Sequence, residues 1–336
     1  MMKRLMTVAL VLVSATVFAA GSREATAPEP AAQVYEFTMA HAEAIGTPMT
    51  EAFEAWGQML NERSGGRIVA RHFPAGQLGN YTQLIEMSRL GTVQATAGGP
   101  DTEEAVAPEI AVTGLGYIFA SEEHVDRVLQ GEIGRRMSDI ARDKTGVEFV
   151  DYGEVGFRHI LSKRPVRNLN ELRGLKIRTP ELKVWVDFWN LMGANPTPLP
   201  YAEQYSALST GVIDATEADF FSIAGFAWYE HAEHLTLAYH WFLPKAVRIN
   251  AAWIDSLPAD LQDLVRDTAR EAFAEQRRIN RANTSMALEE LKSRGVQVYE
   301  LEDRDEWLRR SQQLYDEYIR NHPQSRQMIE DILALM

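Results

Sequence analysis

The chain has 336 residues, with 47 acidic against 34 basic side chains and a formal net charge of −13; the basic residues form no long block, which excludes a nucleic-acid footprint. Hydrophobic residues make up 46% and charged residues 24%, enough for one or two domains with a sizeable core. The absence of cysteine excludes a disulfide scaffold and an anchor through an acylated cysteine.

The first 20 residues, MMKRLMTVALVLVSATVFAA, put Lys3 and Arg4 before a short apolar run that ends in small residues, the pattern of a secretory signal peptide. The run is short for a membrane span, and a retained anchor is the competing reading. Cleavage after Ala19 leaves Val17 and Ala19 at the positions the peptidase reads, with Ala27 as a later alternative. Residues 1–19 are thus the expected leader, and 20–33 read as a flexible tether.

From Val34 strand and helix alternate. VYEFTMA predicts a strand, and Ala52, Phe53, Trp56, Met59 and Leu60 mark one face of a helix that starts near Pro48 and ends at Gly65 and Gly66. RIVARHF, a helix carrying Leu84, Ile85 and Met87, and TVQATAG follow. This is βαβ grammar, predicting a mostly parallel sheet covered on both faces. A single helix is expected from about Glu122 to Lys144, leading into GVEFVDYGEVGFRHILS. Asn168 with Glu171 resembles a capping box. Strand LKIRT, helix 181–192, strand ANPTPLP, helix 201–210 and strand GVIDATEA then form a second lobe, and the chain returns to the first near AVRINAAW. Beyond Pro258, Leu261, Leu264, Val265, Ala269, Ala272 and Phe273 repeat at helical spacing, on a helix able to brace both lobes. The expected division is 34–155 with about 244–280 as lobe I, 156–243 with about 281–310 as lobe II, and 311–336 as a C-terminal helical segment.

No catalytic set emerges. There is no GxSxG, HExxH, GxGxxG after the first strand or phosphate loop. His231 and His234 would share a face if helical, but read as polar residues on a solvated segment. Glu103 and Glu104, like Glu122 and Glu123, read as surface charges, and Trp185, Phe188 and Trp189 as core.

The block RGLKIRTPELKVWVDFWNLMGANPTPLPYAEQYSALSTGVIDATEAD, residues 173–219, resembles the signature region of the solute-binding proteins of tripartite ATP-independent periplasmic (TRAP) transporters. Gly174 to Arg178, Gly193 to Pro198, Pro200 to Leu208 and Gly211 to Asp214 carry the pattern, with support from SGGRIVARHFPAGQLGN, GFRHILSKRPVRNLNELRG, AEHLTLAYH and SLPADLQ. The resemblance implies an α/β two-lobed periplasmic-binding-protein clamshell, each lobe a mixed or parallel sheet flanked by helices, with a long bracing helix and a helical C-terminus. It also implies an exported, periplasmic receptor that closes on a small organic acid and delivers it to the small and large membrane subunits. A monomer is expected over a dimer, and no cofactor or metal is expected. Strand ends face the crevice of such folds, so Arg178, where Pro180 stops the strand, is expected to hold the ligand carboxylate through its planar fork. Arg158 is implied as its assistant.

Further positions follow from the resemblance. Tyr201 is expected to stack on the ligand, and Glu217 to accept a hydroxyl or amine proton or help bind a cation. Glu43 and His41 are expected to line the opposite lobe, and Asn80 either to reach the cleft or to cap the next helix. The chain departs from the family where asparagine usually follows that glutamate: it has Ala218 and then Asp219. It also has Ala215 and Thr216 for the usual Gly-Gln, and Gly116 for the proline before Tyr117. These changes put a simple dicarboxylate assignment in doubt and point to a reshaped pocket, with a sugar acid or hydroxy acid first and C4-dicarboxylates, 2-oxo acids and aromatic acids as the remaining alternatives. A secreted α/β hydrolase using Glu217 and Asp219, and a ligand-sensing interaction protein, are the alternatives.

Overall fold

The computed structural model describes residues 33–336; the expected leader and the tether up to residue 32 lie outside the described residues. The chain begins β1 (Tyr35–Ala40), α1 (Pro48–Arg63), β2 (Ile68–Phe73), α2 (Tyr81–Leu90) and β3 (Ala95–Gly98). Thr47 caps α1 by accepting from Thr50 N, and Asn80 and Gln83 form a reciprocal capping box on α2. Next come α3 (Pro108–Ala111), α4 (Glu122–Leu129), α5 (Glu132–Thr145) and the long strand β4 (Val147–Ser162). The single helix expected from Glu122 to Lys144 is two. Gly131 separates them, lying so close to the preceding turn that a Cβ there would sit 2.4 Å from the Arg127 carbonyl oxygen.

The second series is α6 (Leu169–Leu172), β5 (Lys176–Thr179), α7 (Lys183–Met192), β6 (Asn195–Pro198), α8 (Gln204–Thr210), β7 (Ala215–Ala218), α9 (Phe220–Gly225) and the second long strand β8 (His234–Asn250). His231 sits in the turn before β8 and His234 opens the strand, so the two share no helix face. The chain closes with α10 (Ala251–Asp255), α11 (Ala259–Ser293), β9 (Gln297–Glu300), α12 (Arg304–Asn321) and α13 (Arg326–Leu333).

All nine described strands join one mixed sheet, ordered β2-β1-β3-β8-β4-β7-β5-β6 with β9 on β8. Parallel β2, β1 and β3 meet the C-terminal part of β8, and parallel β7, β5 and β6 meet the end of β4. The antiparallel pair β4 and β8 runs through both halves, with register shifts between Glu154 and Phe157 and between Arg158 and Ile160. Such bulges bend and twist a ladder, and here they fall between the two halves.

Phe37, Phe53, Trp56, Val247 and Ile249 form the core of the first half, and Leu208, Ile213, Phe220 and Leu235 part of that of the second. The 35-residue α11, ~50 Å long at 1.5 Å per residue, places Leu261, Val265 and Phe273 in the first cluster and Ala287 and Leu291 in the other. The bracing role read from its periodicity therefore holds. A third cluster joins Trp185, Phe188, Trp189 and Trp241 to Trp307 of α12 and Ile329 of α13.

Two departures concern charge and space. Glu103, read as a surface charge, is fully buried, ion-paired with both Arg89 and Arg248. Gly116, where the family usually has proline, is forced by Phe188, whose ring would lie 2.3 Å from an added Cβ. Among the described residues no helix is long and apolar enough to cross a membrane.

Candidate functional site

A cavity of about 260 Å³ opens where the C-terminal ends of the parallel strands converge. From the first half come Glu43, after β1; Asn80 and Tyr81, at the start of α2; Asp101, after β3; and Lys245, on β8. From the second come Arg178 at the end of β5, Tyr201, Asp219 after β7, and Trp185 on α7, while Arg158 stands on β4 between the halves.

The two arginines are in different states. Arg158 donates from Nε to Glu217 Oε2 and from Nη2 to Glu217 Oε1 at 3.0 Å and to the Glu217 carbonyl at 2.6 Å. Burial works against its charge, but the attraction of Glu217 and their hydrogen bonds outweigh it and hold its pKa above the ordinary value. Arg178 donates from Nε and Nη2, at 3.0 and 2.9 Å, to one carbonyl oxygen, that of Leu199. It forms no ion pair among the described residues although only 4% exposed, and burial lowers its pKa to about 10. At neutral pH it remains a cation, with the N–H groups along its Nη1–Nη2 edge available to a carboxylate. Its guanidinium lies 5.7 Å from the Tyr201 ring centre, and that of Arg158 lies 5.5 Å from the Trp185 ring.

At the opposite end Lys245 Nζ is 2.7 Å from Glu43 Oε1 and lies over the Tyr81 ring. Burial opposes both charges, but each overcomes it in the other, so Glu43 is held below and Lys245 above its ordinary pKa. Asp101 accepts a hydrogen bond from Trp185 Nε1 at 2.8 Å, and its Oδ1 has no partner among the described residues. Asp219 caps α9, accepting from Ser222 N and Oγ at 2.8 and 2.6 Å, and its Oδ2 is 4.0 Å from Arg158 Nη1. Burial pushes both aspartates up, with Trp185 and Lys245 partly offsetting it for Asp101 and Arg158 and Ser222 for Asp219.

Of the eight residues singled out in the sequence, Arg158, Arg178, Tyr201, Glu43, Asn80 and Asp219 line this cavity. Asn80 does so while capping α2. Glu217 lies behind Arg158, fully buried, with His240 Nε2 3.7 Å away on its far side. Its carboxylate is therefore engaged by protein rather than offered to a ligand. His41 also stands behind the lining: its Nδ1 accepts from Glu43 N at 3.2 Å and its Nε2 is 2.8 Å from His72 Nε2. Lys245, Asp101, Tyr81 and Trp185 also line it and were not singled out as ligand groups. A lysine inside a 17-residue strand that is otherwise largely buried was the available signal, since a buried charge requires a partner. With Glu217 paired to Arg158 and Asp219 capping a helix, the two acids read as a possible hydrolytic pair do not face a common scissile bond.

The family model described as bacterial extracellular solute-binding protein, family 7, matches residues 39–321. The 2,3-diketo-L-gulonate-binding periplasmic protein YiaO of Escherichia coli K12 is 28% identical over 283 residues, covering 84% of this chain and 86% of that protein. A TRAP periplasmic solute-binding protein from Xanthobacter autotrophicus Py2, solved with bound β-D-galacturonate, superposes with a TM-score of 0.84 at 29% identity, covering 89% of this chain and 99% of that one. A sugar acid binding protein from Advenella mimigardefordensis, solved with galactonate, gives 0.86 at 25% identity over 90% and 98%. The sheet halves described above are thus the lobes of a clamshell, crossed by β4, β8 and α11. A family match running through most of its length places this protein in bacterial extracellular solute-binding protein family 7, as a TRAP-type solute-binding protein and not an enzyme.

Proposed function

We propose that this protein captures a sugar acid between its lobes and delivers it to the small and large membrane subunits of a TRAP transporter. The observation that carries the reading is Arg178: a buried guanidinium with no acidic partner among the described residues, in a cavity lined from both halves of the sheet. A buried charge is costly without a counter-charge, and a ligand carboxylate supplies one. Uronate, aldonate and diketogulonate ligands of the similar proteins support a polyhydroxylated acid. In this reading residues 1–19 direct export to the periplasm and 20–33 form a tether. Lobe I is 34–155 with about 244–280, lobe II 156–243 with about 281–310, and 311–336 a helical addition. The chain acts as a monomer, and closure on the ligand is a hinge motion about the crossing strands.

Thermal unfolding of the mature chain with galacturonate, glucuronate, galactonate and neutral galactose is the test. A ligand bound only by the native state must raise the midpoint. At least one acid is expected to raise Tm while galactose leaves it unchanged. No shift with any acid, or an equal shift with galactose, would defeat the proposal.

A further inference from the structure

The cations lining the cavity are matched by protein acids, with one exception. Lys245 is held by Glu43 and Arg158 by Glu217. Among the described residues only Arg178 of the cavity cations lacks an acidic partner. The acids, in contrast, are in excess. Among the described residues Asp101 keeps an oxygen without a partner, and Asp219, whose two oxygens accept from Ser222, stands at 4.0 Å from an arginine already engaged elsewhere. A ligand carrying a single negative charge is matched by Arg178. A second carboxylate would meet Glu43, Asp101 and Asp219, and could reach Lys245 only by displacing Glu43 and leaving that acid buried and unpaired.

Hydrogen-bonding capacity points the same way. Ionised carboxylates only accept, so a wall rich in them is complementary to hydroxyl donors and not to another ionised carboxylate. We propose that the site selects a polyhydroxylated monocarboxylate, with Arg178 on its carboxylate and Glu43, Asp101 and Asp219 accepting from its hydroxyl groups, and rejects the dicarboxylate of the same carbon skeleton. This rests on the sugar-acid reading and narrows it.

Calorimetric titration at pH 7 with galactonate and galacturonate against galactarate, whose second carboxylate replaces the far end of the same six-carbon chain, tests it. Like-charge juxtaposition is expected to weaken galactarate by about 100-fold or more. Asp219→Asn keeps a side chain competent to cap α9, and Asp101→Asn keeps an acceptor for Trp185. Each removes one negative charge and is expected to narrow the gap by about tenfold. Equal affinity for galactarate and the monocarboxylates in the wild type overturns this inference while leaving the sugar-acid reading intact. A gap that neither variant changes overturns the assigned cause, and failure of all three acids to bind removes the reading on which it rests.

Discussion

Arg158 and Arg178 line the same cavity, carry the same group and are 3% and 4% exposed, but the protein treats them in opposite ways. Arg158 is closed on Glu217 by side-chain and backbone acceptors, and Glu217 is enclosed in turn beside His240. Arg178 is fixed by one carbonyl oxygen and keeps its charge without an acidic partner among the described residues. The first arrangement is complete without a ligand and supports the fold, whereas the second leaves a buried charge that forms no ion pair among the described residues. A lining position alone therefore does not distinguish the two arginines; the unmet hydrogen-bonding and charge requirement does.

The largest effect expected from this contrast is on stability. Arg158→Met leaves Glu217 buried without its counter-charge and is expected to destabilise the unliganded protein by about 3–5 kcal/mol. Arg178→Met removes a charge that forms no ion pair among the described residues and is expected to change stability by about 1 kcal/mol or less. Urea unfolding of the two variants checks this, and equal losses would erase the distinction. Glu217→Gln sharpens it: it leaves Arg158 buried without its counter-charge while keeping an acceptor, so about 3 kcal/mol is expected to go, and the released Arg158 should then relax discrimination against a second ligand carboxylate, read by titration with galactarate.

Protons separate the supporting shell from the guanidinium that faces the cavity. Burial, opposed by Glu43, lowers the His41 pKa to about 3 from an ordinary 6.5. The folded value is depressed, so the stability that neutral His41 contributes is present above pH 6.5 and is lost as pH falls from there towards 3. Between pH 7 and pH 5 this single group is expected to remove about 2 kcal/mol. Unfolding of the wild type and His41→Asn at both pH values measures it, with a flatter pH dependence expected in the variant. A smaller change is Trp185→Phe, which keeps a ring against Trp241 but deletes the bond to Asp101. About 1 kcal/mol is expected to be lost, with a few-fold weaker ligand binding by titration.

Arg178 was legible in the sequence because a strand ending before Pro180 in an α/β fold fixes where its last side chains point. The α11 brace was legible because its apolar spacing persists past any one domain's need. Lys245 and Asp101 were not, because their significance lies in Glu43 and Trp185, 202 and 84 residues away in the chain (245 − 43 and 185 − 101). Glu103 misled for the same reason. Its neighbour Glu104 suggested a solvated pair, whereas the residue that buries it, Arg248, comes from a strand 145 residues further on. Local pattern identifies elements and their ends; the pairing of buried charges is set by which strands lie side by side, and that is a property of the assembled sheet.

The central claim is that Arg178 receives the solute's carboxylate, and the most direct test is a double cycle: titration of the wild type and Arg178→Met with galacturonate and with its uncharged methyl ester. The wild type should bind the acid at least about 100-fold more tightly than the ester, as a lost charge-assisted bidentate contact implies, and the variant should bind both weakly and nearly equally. If Arg178→Met keeps the wild-type preference for the acid, the carboxylate lies elsewhere in the cavity and the claim is wrong.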